Sequence, residues 1–574
     1  FFSNVQAGLT ELLPKEAPSV KALTELHQLL GGKSHLTVIA QSPDAEANRR
    51  FIALLTERLR ERRIPEARSI VGDIRAERKW VQDHAALLLG KERFEQLMGE
   101  LDQVIDQAKA DANPFYVDME EREPPDKAFN RRRQAAKQFF ISGHIKEGMQ
   151  VLESLLPLAG LKIPKTSFGL LGSLVCYQLL IAVRGLEFRE RTEAEVSSAD
   201  LLRMDTCEAI ASSAGVNPLL AANFWTQLLW YALRAGEPRR IVQALTAVTG
   251  LLFGFGASRS RVQKLQDRAL AIAERRQDSY GIGRCIFIRG QCAQLEGRWR
   301  ESLADVRRAI MILKGECVDS TALIDFSGSV EIINLAWLGD LHQLAETIQP
   351  YLKDAIERGR KSHELTVRLS AGFLLLLGED ASERAEEFVK AALRRLEPSM
   401  IMTHFFGLHA QLMVLLYQGR AKEAWQVLGQ ERSQIERAGI LRMDLFHSIW
   451  RSLCALVILA AEQPLQLTVT EARRLSGRRC AFARPMSKLI TSLVRRRQGH
   501  LAESLALLEE AEADLFTCDM LLHAACARFR RGHWIGGAAG EGLIRAARDW
   551  MDDHGTRNPE RMAAMLVPDV LPAE

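Results

Sequence analysis

One recurrence limits what this chain can fold into. Gly297, Gly339, Gly378, Gly419 and Gly499 follow one another at steps of 42, 39, 41 and 80 residues, the last being twice forty. Each opens one short pattern: Gly, any residue, an apolar or aromatic residue, two more residues, then a small or apolar one. It reads Gly297-Arg-Trp299 with Ser302, Gly339-Asp-Leu341 with Leu344, Gly419-Arg-Ala421 with Ala424 and Gly499-His-Leu501 with Ser504. Gly143-His-Ile145 with Gly148 is a further copy, and Gly378 stands in a degenerate one. A period of this size marks a repeat architecture and overrides the length prior, which would otherwise suggest about four globular domains. The segments between the glycines carry apolar residues at steps of three and four, so each glycine lies at the turn of a helix hairpin. One hairpin cannot bury its own apolar face. Stacked hairpins can, and the product is a superhelix with a concave surface.

The pattern resembles the tetratricopeptide helix hairpin, which has a turn glycine, an aromatic residue two positions on and a small residue three further. Cys285–Ala309 carries the fullest copy, with Gly290, Gly297, Trp299, Ser302, Val306 and Ala309. A period nearer 40 than the about 34 of the strict repeat predicts longer helices. Upstream, Leu219, Leu220, Phe224, Leu228, Leu229 and Ala232 form a helical stripe, and Gly236-Glu237-Pro238 stops it. The next helix opens at Arg239-Arg240-Ile241, so Gly236 is another turn position. Before this hairpin, Arg184 to Glu195 reads as a solvated loop of mixed charge. Arg184, Arg189 and Arg203 are expected to pair with Glu187, Glu190 and Asp205, and their display in a groove would instead indicate a binding role. The aromatic residues Phe224, Trp225, Trp230, Tyr231, Trp337, Trp425 and Trp450 fall mostly on striped faces and are assigned to core.

Residues 1–110 have another texture. Leu36-Thr37-Val38-Ile39-Ala40 reads as a strand between Gly31-Gly32 and Ser42-Pro43. A helix follows over about 44–63, with Phe51, Leu54, Leu55 and Leu59 on one face, and Arg68 to Gly72 supplies a second strand for one βαβ unit. Residues 111–129, with NPFYVDMEEREPPDK at 113–127, read as a linker. The fold class expected is therefore mainly α: a solenoid of helix hairpins over residues 130–574, preceded by a small α/β segment.

Composition narrows the function classes. Apolar residues make up 47% and charged residues 26%, as in ordinary folded proteins. Lys plus Arg number 76 against 72 for Asp plus Glu, a net charge of +4, which is far from a nucleic-acid footprint. The basic runs Arg131–Arg133, Arg478-Arg479, Arg495–Arg497 and Arg530-Arg531 read as helix faces or ends. The nine cysteines are scattered and never form C-x-x-C, so neither a zinc site nor a disulfide framework is indicated, and a reducing cytoplasmic setting is expected. No apolar run reaches the roughly 18 residues of a membrane span. The chain lacks an initiating Met and reads as entered partway.

Catalytic patterns fail one by one. Gly31-Gly32-Lys33-Ser34 spells the end of a phosphate loop, but His27 stands where the further glycine belongs, and helix precedes strand. Asp325-Phe326-Ser327-Gly328 matches a kinase metal-binding triplet in spelling only. Gly536–Gly540 lacks a preceding strand. His404 and His409 are five apart, not the four of a helical zinc pair. The expectation is no active site and no cofactor.

Three stretches carry a family resemblance. Arg184–Leu245, with RGLEFRER, LLRMDTC and LRAGEPRRI, residues 536–568, and residues 138–161 resemble the C-terminal helical-repeat region of large bacterial serine/threonine protein kinases that also hold an AAA-type ATPase module. The resemblance covers about 130 to the end, where it implies a natural C-terminus. It implies a regulatory or scaffolding module in bacterial signalling that holds protein partners in the superhelix groove, and it transfers no catalytic residue. Residues 42–62, SPDAEANRRFIALLTERLRER, resemble the end of an anion-pump-type P-loop ATPase domain. The alternative they imply is a truncated or remodelled P-loop ATPase with a repeat-built sensor region.

Overall fold

The computed structural model describes Ala136 and residues 145–164, 166–212, 218–317, 320–397 and 400–568. The α/β segment, the linker, the Gly31–Ser34 stretch and Gly143 lie outside the described residues. Every regular element among the described residues is helical. The first group is α1 (Ile145–Leu155), α2 (Ser167–Arg184), α3 (Ser198–Ala211), α4 (Pro218–Ala235), α5 (Pro238–Gly254) and α6 (Arg259–Arg275).

Seven hairpins follow. They are α7 (Ser279–Leu295) with α8 (Trp299–Glu316), α9 (Thr321–Leu338) with α10 (Leu341–Glu357), and α11 (from Lys361 to Gly378) with α12 (Ser382–Arg394). Next come α13 (Ile401–Tyr417) with α14 (Ala421–Arg437), α15 (Asp444–Ala460) with α16 (Leu465–Ser476), α17 (Ala483–Arg497) with α18 (Leu501–Thr517), and α19 (Leu521–Ile535) with α20 (Gly537–Asp553). The short α21 (Pro559–Leu566) closes the series. Helix α11 runs from Lys361–Val367 through a π turn at Arg368–Gly372 into Phe373–Gly378.

The turns explain the recurrence. Gly297, Gly339, Gly419 and Gly499 all have positive φ, and the residue two positions after each begins the next helix: Trp299, Leu341, Ala421 and Leu501. The small residues then sit where helices touch. The Asn334 amide donates to Ser302 Oγ at 2.8 Å, and Ser504 Oγ donates to the Ser492 carbonyl at 2.8 Å. Ala424 and Leu344 are fully buried.

The hairpins build two layers. Helices α5, α7, α9, α11, α13, α15 and α17 each contact the next in that series, and this is the inner layer. Helices α9, α13 and α15 are buried on nearly every side, and apolar residues accordingly recur around most of each helix rather than on one stripe. The outer helices bury one stripe only, as in α12 with Ala385, Val389 and Ala392 or α14 with Ala424, Leu428 and Ile435.

The superhelix closes on itself. Helix α7 meets α15, α9 meets α19, and α13 meets α21 across the inside. Three backbone hydrogen bonds fasten the turns of the early hairpins to the later ones: Ala481 N to Glu296 O at 2.7 Å, Leu341 N to His554 O at 3.0 Å, and Arg557 N to Gly378 O at 2.8 Å. One core cluster therefore runs from Trp299 to Val567. From α7 onward the concave side is filled by the chain's own later helices.

Candidate functional site

The charged loop after α2 is bound to the fold. The Arg184 guanidinium donates to the carbonyls of Glu187 at 2.8 Å and Leu233 at 2.8 Å, so it holds the loop's first turn against α4. Glu187 pairs with Arg268 at 2.9 Å, and that hydrogen bond holds its carboxyl below the usual range. Glu190 pairs with Arg275, and Asp205 with Arg240 at 2.7 Å. Arg203 bonds Asp200 at 3.0 Å and lies over the Tyr231 ring. The partners expected within the loop are thus replaced by arginines of α5 and α6. The reason is topological: the loop crosses the hairpin turn, and residues far downstream in sequence are nearer than its own.

Gly236 is what lets it cross. Its φ is +80°, and a Cβ built there would lie 2.1 Å from the Arg189 carbonyl oxygen. Arg191 N donates to Gly236 O at 2.8 Å, and Glu237 caps α5 by accepting from the amides of Arg239 and Arg240. A Gly236→Ala chain is expected to lose about 2–4 kcal/mol, from the left-handed backbone and the displaced loop together. Urea denaturation measures the loss, and limited proteolysis of residues 185–197 should accelerate with it.

Helix α2 presents a second feature. Leu170 and Tyr177 face α4, where the Tyr177 and Tyr231 hydroxyls lie 3.0 Å apart and Asn223 donates to the Leu170 carbonyl. On the other side Phe168 (87% exposed), Leu171, Val175, Leu179 (61%) and Val183 (90%) form one row at steps of three and four. Leu180 is exposed beside it. The spacing of this row is legible in the sequence, but nothing in the local pattern says which face of α2 is covered by α4. Among the described residues no helix is long and apolar enough to cross a membrane.

The third feature lies on the superhelix axis. A partly open cavity of about 70 Å³ is lined by side chains from α9, α11, α13, α15, α17 and α19 and by Met565 and Leu566 of α21. Trp337 forms one wall, stacked on Trp299 at 5.5 Å, Phe482 at 5.6 Å and His523 at 5.8 Å. His409 meets Trp337 and Phe373. Burial pulls both His409 and His523 down to about 4, so both imidazoles are neutral at pH 7.

The sign of the pH effect follows. Unfolded histidines titrate near 6.5, so between about pH 6.5 and 4 the unfolded chain binds protons that the folded chain refuses. The stability from each neutral imidazole is complete above about pH 6.5 and is lost as pH falls, by about 2 kcal/mol per histidine at pH 5. A His523→Phe chain is expected to show a smaller drop in urea midpoint between pH 7 and pH 5 than the native chain.

The remaining sequence candidates have structural employment. Asp325–Gly328 lies inside α9, and Gly540 stands against the Gly532 backbone where α20 crosses α19. His404 faces Glu431 at 3.5 Å. Arg478 pairs with Asp444, Arg479 donates to the Gly256 carbonyl, Arg495 pairs with Glu503, and Arg531 with Glu509 and Glu512. All nine cysteines are free thiols, and burial pushes those of Cys285 and Cys292 up to about 12. Among the described residues no group of three or more His, Cys, Asp or Glu side chains is placed to hold a metal. No protein-family model matches this chain, and no curated protein matches it.

Proposed function

We propose that residues 130–574 act as a non-catalytic, tetratricopeptide-like interaction module that regulates or scaffolds signalling machinery. The observation that carries the reading is the row Phe168, Leu171, Val175, Leu179 and Val183 on α2. Among the described residues it is a helix-length apolar stripe that stands exposed on the side of α2 away from α4. The concave side, where a partner of an open superhelix would sit, is taken by the chain's own helices from α7 onward. The partner this reading calls for is an amphipathic helix of another protein, laid along α2 in helix-on-helix fashion.

Cys176 is exposed on α2 and offers a handle. A photo-crosslinker on Cys176 is expected to capture, in host extract, a protein whose crosslinked peptide has helical apolar spacing. A Val175→Glu, Leu179→Glu chain of native stability should lose that capture. Capture unchanged by the two charges, or a crosslinked peptide without helical spacing, refutes the assignment.

A further inference from the structure

We propose that the axial cavity is a binding site for a small uncharged molecule, mostly apolar, no larger than a single ring, and carrying one hydrogen-bonding group. The proposal stands on the cavity alone and does not depend on the protein partner of α2.

The polar atoms at the cavity are the first ground. Ser452 is 6% exposed, and its hydroxyl has no hydrogen-bond partner. Several buried hydroxyls in these helices return to the carbonyl four residues back, as Thr246 does to Val242, Thr249 to Leu245 and Ser448 to Asp444; Ser452, like Ser327 and Thr468, makes no such bond. Ser370 Oγ and His523 Nδ1, on two other helices lining the cavity, are likewise buried without partners. Leaving a buried polar group unmatched is costly, so three around one cavity favour a guest that can form a hydrogen bond.

The backbone supplies an independent ground. The one π turn of α11, Arg368–Gly372, falls at the cavity and carries Ser370. π turns are rare and fall frequently at functional sites.

The chemistry of the walls then selects the ligand. No charged side chain lines the cavity, so an ion entering it meets no counter-charge and loses its hydration. Stacked rings favour a planar apolar body. The volume, about 70 Å³, is roughly half that of an engineered apolar cavity that admits benzene. Met413, Met486 and Met520 line it, and unbranched thioether chains yield to a guest more readily than branched ones.

The test is fluorine NMR of the full chain with 4-fluorophenol, fluorobenzene and 4-fluorobenzoate. Saturable binding of 4-fluorophenol is expected, with fluorobenzene weaker by roughly threefold to tenfold, the worth of one hydrogen bond, and no binding of the benzoate. Ser452→Ala should lower 4-fluorophenol affinity by a similar factor and leave fluorobenzene unchanged. Ala336→Leu, which fills the cavity from α9, should abolish both. If no probe saturates, the cavity holds water only and the proposal is wrong. Binding that survives Ala336→Leu, or benzoate bound as well as phenol, also overturns it. Should Ala336→Leu fail to fold, the Ser452→Ala comparison decides alone.

Discussion

Trp299→Ala is expected to cost about 3–5 kcal/mol of folding stability, the range for truncating a large buried ring. Trp299 is 0% exposed and is the first residue of α8. Its indole stacks at once on Trp337 of α9 and, at 5.9 Å, on Phe482 beside α17. It therefore joins an early hairpin both to its sequence neighbour and to a hairpin almost two hundred residues later. The indole N–H is buried with no partner, so ring contact rather than hydrogen bonding carries its contribution. Trp299→Phe is expected to retain the larger part of it. Urea denaturation of the two variants reads the difference, and a loss below about 1 kcal/mol for alanine would show that the joint between early and late hairpins does not depend on this ring.

Gly339→Ala is the second large effect. Gly339 ends α9 with φ +84°, where any side chain is strained. A Cβ there would also lie 2.4 Å from Leu522 Cβ and 2.9 Å from Leu522 N. Strain and displacement together are expected to cost about 3–4 kcal/mol. Gly419→Ala is the control: φ is +72° there, nothing lies within 4 Å of the added carbon, and about 1–2 kcal/mol is expected. Hydrogen exchange separates the two further. Only Gly339→Ala should release protection in the first turn of α19, because only there does the turn press on another helix. Equal costs and equal exchange in both variants would mean that ring closure contributes little to stability.

These two glycines show how far the sequence can be read. Both stand in the same forty-residue pattern, and both meet one requirement visible in it, a left-handed turn between helices. The second requirement at Gly339, room for Leu522, leaves no trace in the local pattern because Leu522 is nearly two hundred residues away. The degenerate copy at Gly378 makes the same point. There Asp380, with φ +58°, takes the left-handed position, and Gly378 is small because the Gly555 carbonyl approaches it. The cavity was still less legible. Trp337, His409, Ser452 and His523 come from four hairpins, and no local pattern joins them.

By itself the sequence determined the hairpins: their turns, their lengths and the small residues on which paired helices close, since helical period and turn chemistry act within about forty residues. The tertiary structure alone decided the rest. It turned the stack back on itself, filled the concave side with the chain's later helices, moved the loop acids onto arginines of α5 and α6, and set two neutral histidines and two unpartnered serines around one cavity. The physical reason is range. Curvature sums small rotations between many neighbouring hairpins, and no single segment encodes the sum that brings α9 to α19.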